Sequence, residues 1–295
     1  MGLELPPRVR RLSRWTALSA ALLLLSACSQ ADQDQIGRLG MPEGITDRSV
    51  YIFDLWQGAW LAAILVGILV WGLIGWACFA YRRRSHDEIP VQTRYNLPVE
   101  ILYTVAPIVM VLVFFYYTVT TQNQVLEEVS AEDADHNIEV VGQQWSWTFN
   151  YIEDEALDGS TSVYETGTTA DRPTLVLPVG ETVRVDLTSP DVIHSFWVPA
   201  FLFKLDVVPG RTNTLSFTPT REGEFVGRCA ELCGAYHSRM LFNLQVVSPD
   251  EYAAHLRDLA EQGNTGVARG GANADTQVGI EEEVQDNDTS EGENP

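Results

Sequence analysis

Two long apolar stretches without a charged residue divide the first half of the chain, at residues 56–81 and 101–121. As a helix, the first would be roughly 39 Å long at about 1.5 Å per residue, more than the ~30 Å of hydrocarbon in a bilayer. Pro107 lies inside the second stretch, and membrane helices tolerate proline where neighbours satisfy the freed backbone groups. At these lengths buried helices of a soluble protein are a poor explanation, so residues 56–121 predict a transmembrane hairpin.

From residue 137 onward the pattern changes to short runs of alternating apolar and polar residues, broken by Pro and Gly. Such runs predict an all-β sandwich or barrel of antiparallel strands, and about 110 residues of this kind suit a Greek-key sandwich. The sequence Ser-Pro-Asp-Glu at 248–251 predicts a capped helix that ends near Gln262. The predicted strands are 138–144, 146–151, 174–177, 182–187, 195–198, 212–217, 224–228 and 240–247.

The N-terminus has four arginines followed by an apolar run, which is the pattern of a secretory signal peptide. The run ends in Leu25-Ser26-Ala27-Cys28, which resembles a bacterial lipobox. Residues 1–27 are therefore predicted to be a lipoprotein signal peptide, and Cys28 to be acylated and anchored in membrane lipid. The alternative is an ordinary small-residue cleavage site followed by a cysteine without lipid.

The orientation in the membrane follows from the loop 82–98, which holds four arginines between the two apolar stretches. The positive-inside rule places this loop in the cytoplasm of a bacterial cell and both flanks outside. Residues 28–55 are then an extracytoplasmic segment, and residues 122–262 an extracytoplasmic domain that includes the C-terminal helix.

Acidic residues outnumber basic ones by 40 to 19, and the formal net charge is −21. Such a charge excludes nucleic acid as a partner and attracts basic proteins. Residues 263–295 contain eight acids, one Arg and few apolar side chains, which predicts a disordered acidic tail. Glu153, Asp154 and Glu155 are candidates for docking a basic partner, and 155–171 is predicted to be a polar surface insertion.

Five side chains that bind soft or borderline metal ions occur in two segments, and they are His194, Cys229, Cys233, His237 and Met240. Two cysteines and two histidines suit zinc, whereas an added thioether shifts the preference towards copper. Two thiolates can also bridge two copper ions, which leaves one histidine for each. Outside the membrane the two cysteines could instead form a disulfide, but the neighbouring His and Met residues favour a metal site.

These ligands occur in the order Asp191-x-x-His194 and Cys229-x-Glu231-x-Cys233-x-x-x-His237-x-x-Met240. The order resembles the copper A site of the cytochrome c oxidase subunit II family. The resemblance implies that the cysteines bridge two copper ions, that each histidine caps one, and that the methionine is a weak ligand. It also implies that Glu231 offers its backbone carbonyl, while its carboxylate faces a magnesium or manganese ion shared with subunit I. The implied fold is a two-helix transmembrane hairpin followed by a cupredoxin-like sandwich.

The same resemblance gives roles to residues outside the ligand set. Trp145 corresponds to the tryptophan where an electron enters from cytochrome c, although Gln143 stands where the family commonly has His. Glu100, at the predicted cytoplasmic end of the second span, corresponds to the glutamate at the entrance of a proton pathway. Asp191 is a candidate for docking the donor by charge steering. Residues 204–211 are similar to the family segment that packs against subunit I.

A member of this family accepts electrons from cytochrome c, or from a membrane-bound cytochrome c of a bc complex, and passes them to haem in subunit I. Oxygen reduction to water and proton pumping would occur with subunit I and further oxidase subunits. Two alternatives stay open. A quinol oxidase subunit II has the spans and the fold without the copper ligands. A membrane-anchored copper chaperone of thioredoxin-like fold also uses C-x-x-x-C with a distant His, but it needs helices between its strands, and none is predicted in the extracytoplasmic domain before Ser248.

Overall fold

The computed structural model describes residues 30–85, 88–89, 91–157 and 161–268 of the chain. The predicted signal peptide, the lipid attachment site proposed at Cys28 and most of the predicted acidic tail lie outside the described residues. Within them, an N-terminal helical part leads into a β-sandwich that is closed by a C-terminal helix.

Two long helices pack against each other where the sequence predicts the membrane hairpin. After a short helix α1 (Gln30–Gly37), α2 (Ser49–Ala80) and α3 (Leu97–Val125) are both long and apolar enough to cross a membrane. Most of their apolar side chains are exposed, as expected for helices that lipid or partner helices cover. α2 begins well before residue 56, so the helix extends into the segment predicted to lie outside the membrane.

The first turn of α3 contains its own capping contacts. Asn96 Oδ1 accepts a hydrogen bond from the Val99 N–H at 3.5 Å, and Pro98 lies within the first two helical positions. The Glu100 carboxylate accepts the Asn96 N–H at 2.9 Å. Asn, Pro and an acidic residue at these positions are the usual signals for a helix start, which explains why α3 begins before the apolar run.

The β-sandwich consists of two five-stranded sheets, in the orders β3-β2-β1-β5-β8 and β4-β10-β9-β6-β7. The strands are β1 (His136–Gln143), β2 (Ser146–Tyr151), β3 (Val163–Thr166), β4 (Thr174–Pro178), β5 (Val183–Thr188), β6 (His194–Trp197), β7 (Lys204–Val207), β8 (Asn213–Phe217), β9 (Gly223–Cys229) and β10 (Leu241–Val247). The predicted two-layer β fold is confirmed.

The strand pairing differs from the predicted antiparallel arrangement in two places. β1 pairs with β5 in parallel, and β4 pairs with β10 in parallel, while the other pairs are antiparallel. The sequence also did not predict β3 and β7. Both have four residues and lie at sheet edges. Pairing with a neighbouring strand, rather than a local apolar pattern, makes these segments extended.

Aromatic packing between the sheets fixes the position of the strands that carry predicted metal ligands. Trp147 and Phe196 lie 5.5 Å and 5.1 Å, respectively, from the ring of Phe242, measured between centroids. Gly227 on β9 leaves room for this ring, because a Cβ at that position would lie 1.9 Å from Phe242. β9 therefore runs close to the aromatic core and ends at Cys229, which pairs with Phe196 of β6.

A buried ionic cluster joins the C-terminal helix α4 (Pro249–Glu261) to the sandwich. His136 Nδ1 lies 2.7 Å from the Asp154 carboxylate and Nε2 lies 2.8 Å from Glu181, while Tyr252 of α4 donates its hydroxyl to Asp154 at 2.8 Å. The Asp154 side chain is 0% exposed. The prediction that Asp154 docks a partner is therefore wrong, because these buried groups enclose its carboxylate. α4 has the predicted capping box, formed by Ser248 with a glutamate three residues on.

Burial and pairing act in opposite directions on the pKa values of this cluster. Burial lowers the pKa of His136, but hydrogen bonds to Asp154 and Glu181 outweigh it and leave the pKa raised above 6.5. Burial raises the pKa of Asp154, but the hydrogen bond to His136 outweighs it and leaves the pKa below 3.8. Between pH 3.8 and 6.5 the His136 and Asp154 side chains are therefore both charged and form an ion pair.

The residues after α4 return to the sandwich. The Tyr164 N–H donates to the Asn264 carbonyl at 3.0 Å, and the Ala268 N–H donates to Asn150 Oδ1 at 2.8 Å. The prediction of disorder from residue 263 is therefore wrong for residues 264–268, because they supply hydrogen-bond partners to the edge strand β3 and its neighbour.

Candidate metal centre

Two strand ends and one loop bring the five predicted ligand residues together. His194 is the first residue of β6, and Cys229 is the last residue of β9. The loop after β9 continues through Cys233 and a single 3-10 turn, His237–Arg239, to Met240. The Cys229 N–H donates to the Met240 carbonyl at 3.0 Å, which closes the loop on itself.

The donor atoms lie within one small cluster. The two Sγ atoms are 3.8 Å apart, His194 Nδ1 is 3.9 Å from the Sγ of Cys229, and His237 Nδ1 is 3.6 Å from the Sγ of Cys233. Met240 Sδ is 3.7 Å from the Sγ of Cys233. Each imidazole is therefore in contact with a different thiol group.

These spacings fit a metal ion held by sulfur and nitrogen. The two Sγ atoms are 3.8 Å apart. If one ion bound both through sulfur–metal bonds near 2.3 Å, the sulfur–metal–sulfur angle would be about 110°. His194, Cys229 and Cys233 offer three donor atoms within 4.8 Å of one another, and all three residues are buried. The ligand set of thiolate, imidazole and thioether is soft, which suits copper better than magnesium or calcium.

The contact between the two thiols favours the loss of one of their two protons, and metal binding by thiolates requires such deprotonation. The hydrogen bond from Cys233 lowers the pKa of Cys229 to about 3, against the opposing effect of burial. The hydrogen bond to Cys229 raises the pKa of Cys233, and burial raises it further. The pair therefore keeps one of its two protons, which stays on Cys233. A metal ion would replace this proton.

Asp191 orients one of the histidines. Its Oδ1 lies 2.8 Å from His194 Nε2, and its Oδ2 accepts the backbone N–H of Gln144 at 2.6 Å. Burial lowers the pKa of His194, but the hydrogen bond to Asp191 outweighs it and leaves the pKa raised. The carboxylate thus faces the ring nitrogen opposite the one that faces Cys229, an arrangement that fixes the tautomer of metal-ligating histidines. Sequence reasoning proposed Asp191 only for donor docking.

Trp145 lies directly against the ligand loop. Its indole N–H donates to the Cys233 carbonyl at 3.1 Å, and the Gln144 side-chain amide donates to the same oxygen at 2.6 Å. Gly234 permits this approach, since it has a φ of +122° and a Cβ there would lie 3.0 Å from the Trp145 ring. The ring of Tyr236 also contacts Trp145, with centroids 5.2 Å apart. Sequence reasoning missed Tyr236, although its position beside His237 was a signal for it.

The other predicted site residues lie in different parts of the chain. The Glu231 carbonyl is 3.2 Å from the Sγ of Cys229, whereas its side chain is exposed. Glu100 lies in the first turn of α3, within the helical hairpin. Gln143 is buried, and its amide nitrogen has no hydrogen-bond partner among the described residues. Lys204, in the segment predicted to pack against subunit I, forms an ion pair with Asp206 at 3.2 Å.

Comparisons with known proteins agree with the site. The family model described as cytochrome C oxidase subunit II, periplasmic domain, matches residues 136–247. A probable cytochrome c oxidase subunit 2 of Streptomyces avermitilis is 47% identical over 300 residues, which cover 90% of this chain and 92% of the relative. The cytochrome c oxidase subunit 2 of Mycobacterium tuberculosis is 34% identical over 301 residues, which cover 84% and 82%. A crystal structure of the periplasmic domain of subunit II of cytochrome oxidase from Bradyrhizobium japonicum is 33% identical, with a TM-score of 0.38, and covers 44% of this chain and 96% of that one.

The two alternatives from the sequence do not account for these observations. Between β1 and β10 the described residues contain two five-stranded sheets and only single 3-10 turns, so the thioredoxin-like chaperone fold is excluded. A quinol oxidase subunit would have no use for the complete ligand cluster. Because a relative is 47% identical over 90% of this chain, the chain belongs to the cytochrome c oxidase subunit II family, whose members are components of haem-copper terminal oxidases.

Proposed function

We propose that the chain accepts single electrons from a cytochrome c at a dinuclear copper centre and passes them to haem in subunit I. One observation carries this proposal. Two buried sulfur atoms lie 3.8 Å apart, and each has a different imidazole nitrogen beside it. A single tetrahedral ion would draw both imidazoles to the same point, whereas this arrangement would let Cys229 and Cys233 hold two copper ions with one histidine for each. The copper pair, when bound, stores one electron at a time.

The protein's own groups surround the sulfur atoms on several sides. Met240 is 0% exposed and presents its thioether to Cys233, and the Glu231 carbonyl lies near Cys229. Both are weak ligands by chemistry, so they adjust the site without replacing the imidazoles. The exposed Glu231 carboxylate is free to bind a magnesium or manganese ion at a boundary with subunit I, which would couple the two subunits at this loop.

Electrons would reach the centre through Trp145. The route from its indole to the thiolate consists of one hydrogen bond, 3.1 Å long, followed by the carbonyl carbon, Cα and Cβ of Cys233. No other described tryptophan donates a hydrogen bond to a cysteine of the cluster. The Gln144 amide donates to the same carbonyl and restrains it.

The membrane part is proposed to attach the chain to subunit I and to the bilayer. α2 and α3 would span the membrane, with loop 82–98 in the cytoplasm and the β-sandwich outside, and Cys28 would carry lipid. Glu100 would lie at the entrance of a proton pathway that serves proton pumping. In the assembled oxidase, Glu100→Gln would then lower the number of protons pumped per electron, whereas Glu88→Gln in the preceding loop would leave it unchanged.

The function of the site is tested by metal analysis and electron paramagnetic resonance of the oxidised full-length chain, purified without other subunits and loaded with copper. We expect two coppers per chain and one unpaired electron shared equally by two nuclei. Cys229→Ser should abolish this signal, while Cys78→Ser in α2 should preserve it, because Cys78 is an exposed cysteine outside the cluster. Bound zinc, or one copper with a mononuclear spectrum, would contradict the proposal.

A further inference from the structure

The ligand loops expose an unusual share of apolar surface. Among the described residues of the β-sandwich and its C-terminal helix, few large apolar side chains are prominently exposed, and four of them lie on the two loops that hold the metal ligands: Val192, Ile193, Leu232 and Tyr236. Exposed apolar side chains that cluster in this way mark interaction surfaces. Tyr236 is the aromatic member of this group and is 43% exposed.

Tyr236 covers part of the tryptophan through which electrons are proposed to enter. Its ring meets Trp145 edge to face, with centroids 5.2 Å apart and planes at 79°. Trp145 packs against the hydrophobic core and is only partly exposed. A donor that approaches Trp145 from solvent therefore meets the more exposed tyrosine ring at the same place.

Arg239 in turn contacts the ring of Tyr236. The guanidinium carbon of Arg239 lies 5.7 Å from the centre of the Tyr236 ring, within the range of cation–π attraction. No described carboxylate forms an ion pair with Arg239, although acids outnumber bases two to one in the chain. Arg239, Tyr236 and Trp145 thus form a continuous chain of contacts that ends at the Cys233 carbonyl.

We propose that Tyr236 is a positioning residue for electron transfer, which keeps Trp145 in its hydrogen bond to Cys233 and forms the outer contact for the donor. This inference rests on the proposed function of the site. In the step it serves, one electron leaves the ferrous haem of a c-type cytochrome, which becomes ferric, and reduces the copper pair by one electron. No proton moves and no bond forms or breaks. Arg239 restrains the tyrosine ring so that this contact is formed before the donor arrives.

The contribution of Tyr236 follows from the energy of an aromatic pair. Loss of an edge-to-face partner should lower the ratio of the hydrogen-bonded Trp145 conformer to detached conformers by about three- to tenfold. The limiting rate of electron transfer from the bound donor should fall by up to the same factor. The ring, and not the hydroxyl, makes the contact, because no hydrogen bond of the Tyr236 hydroxyl occurs within the described residues.

The test uses the assembled oxidase and a reduced soluble c-type cytochrome in stopped-flow measurements. Tyr236→Leu should lower the limiting rate by up to about tenfold, and Tyr236→Phe should recover most of it. Tyr164→Leu is the matched control, since it removes a partly exposed tyrosine from β3 and should leave the limiting rate unchanged. In the metal-free full-length chain labelled with fluorotryptophan, the fluorine resonance assigned to Trp145 should shift in Tyr236→Leu and stay unchanged in Tyr164→Leu.

The outcomes separate this inference from the function on which it rests. If Trp145→Phe slows electron transfer while Tyr236→Leu transfers at the wild-type rate with an unshifted Trp145 resonance, the role of Tyr236 is overturned and the proposed function stands. If Trp145→Phe also transfers electrons at the wild-type rate, electrons enter elsewhere and both proposals fall. A slowed Tyr236→Leu variant that Tyr236→Phe does not rescue would point to the hydroxyl and would also overturn the inference.

Discussion

Replacement of Asp191 by asparagine tests how the protein holds His194, a histidine of the proposed copper centre. Asp191 Oδ1 lies 2.8 Å from His194 Nε2, and Oδ2 accepts the Gln144 N–H at 2.6 Å. Ser189 and the Val192 N–H also donate to this carboxylate, so its orientation is fixed before any metal arrives. Both carboxylate oxygens act only as acceptors, which an amide of the same shape cannot reproduce.

In Asp191→Asn one of the two main contacts has to fail. If the amide nitrogen faces His194, it donates to Nε2 and drives the ring proton to Nδ1, the atom that lies 3.9 Å from the Sγ of Cys229. If the amide oxygen faces His194, the amide nitrogen meets the N–H of Gln144, and two donors oppose each other. Loss of such a partner lowers metal affinity by about 10–100-fold, which is roughly 1.4–2.8 kcal/mol.

The assay is a competition titration of copper against a chelator with the full-length chain near neutral pH, together with nitrogen NMR of the His194 tautomer in the metal-free chain. Ser189→Ala is the control, because it loosens the same loop while the carboxylate keeps both contacts. Undiminished affinity in Asp191→Asn, with the Nε2 proton still in place, would refute the reasoning. If the substitution instead changed only the association rate of the donor, and salt reduced the difference from the wild type, the docking role predicted from the sequence would be favoured.

Three further substitutions have expected results. Gly234→Ala places a methyl group 3.0 Å from Trp145, so electron transfer from the donor should slow while the copper spectrum is retained. His136→Ala should destabilise the β-sandwich in denaturant titrations by roughly 3 kcal/mol, because it leaves the buried Asp154 carboxylate unpaired. This loss should be largest between pH 3.8 and 6.5; the stabilisation in the wild type disappears as pH rises through the raised His136 pKa or falls through the lowered Asp154 pKa. Cys229→Ser should lower the pKa of the Cys233 thiol towards its usual range, since the hydrogen bond to Cys229 is the main cause of its rise. The pH dependence of the alkylation rate of Cys233 in the metal-free chain measures this pKa.

Local signals in the sequence were sufficient for several elements. The long uncharged stretches indicated α2 and α3, and the capping box at Ser248 indicated α4 with its start correctly placed. The proposed ligand residues were predicted from their chemistry, because few groups besides Cys, His and Met bind soft metal ions. Each of these signals depends on residues close together in the chain or on the side-chain type alone.

The edge strands and the acidic cluster could not be predicted in this way. β3 and β7 are short segments that become extended because a neighbouring strand supplies hydrogen-bond partners. Asp154 belongs to an acidic run that is typical of a solvated surface, yet its carboxylate is buried against His136 and Tyr252, which comes from 98 residues further along the chain.

Local patterns and side-chain types were thus enough to predict the two long apolar helices, the β class of the domain and the side chains of the proposed metal site. The folded chain was needed to show that one imidazole lies beside each thiol, that Asp191 bonds to His194, and that Trp145 donates to a carbonyl 88 residues away. These contacts depend on the register between β6 and β9 and on the packing of Phe242 against Gly227, which bring distant segments within hydrogen-bond distance. No local pattern specifies such a register, because it is set by the fit of the whole core.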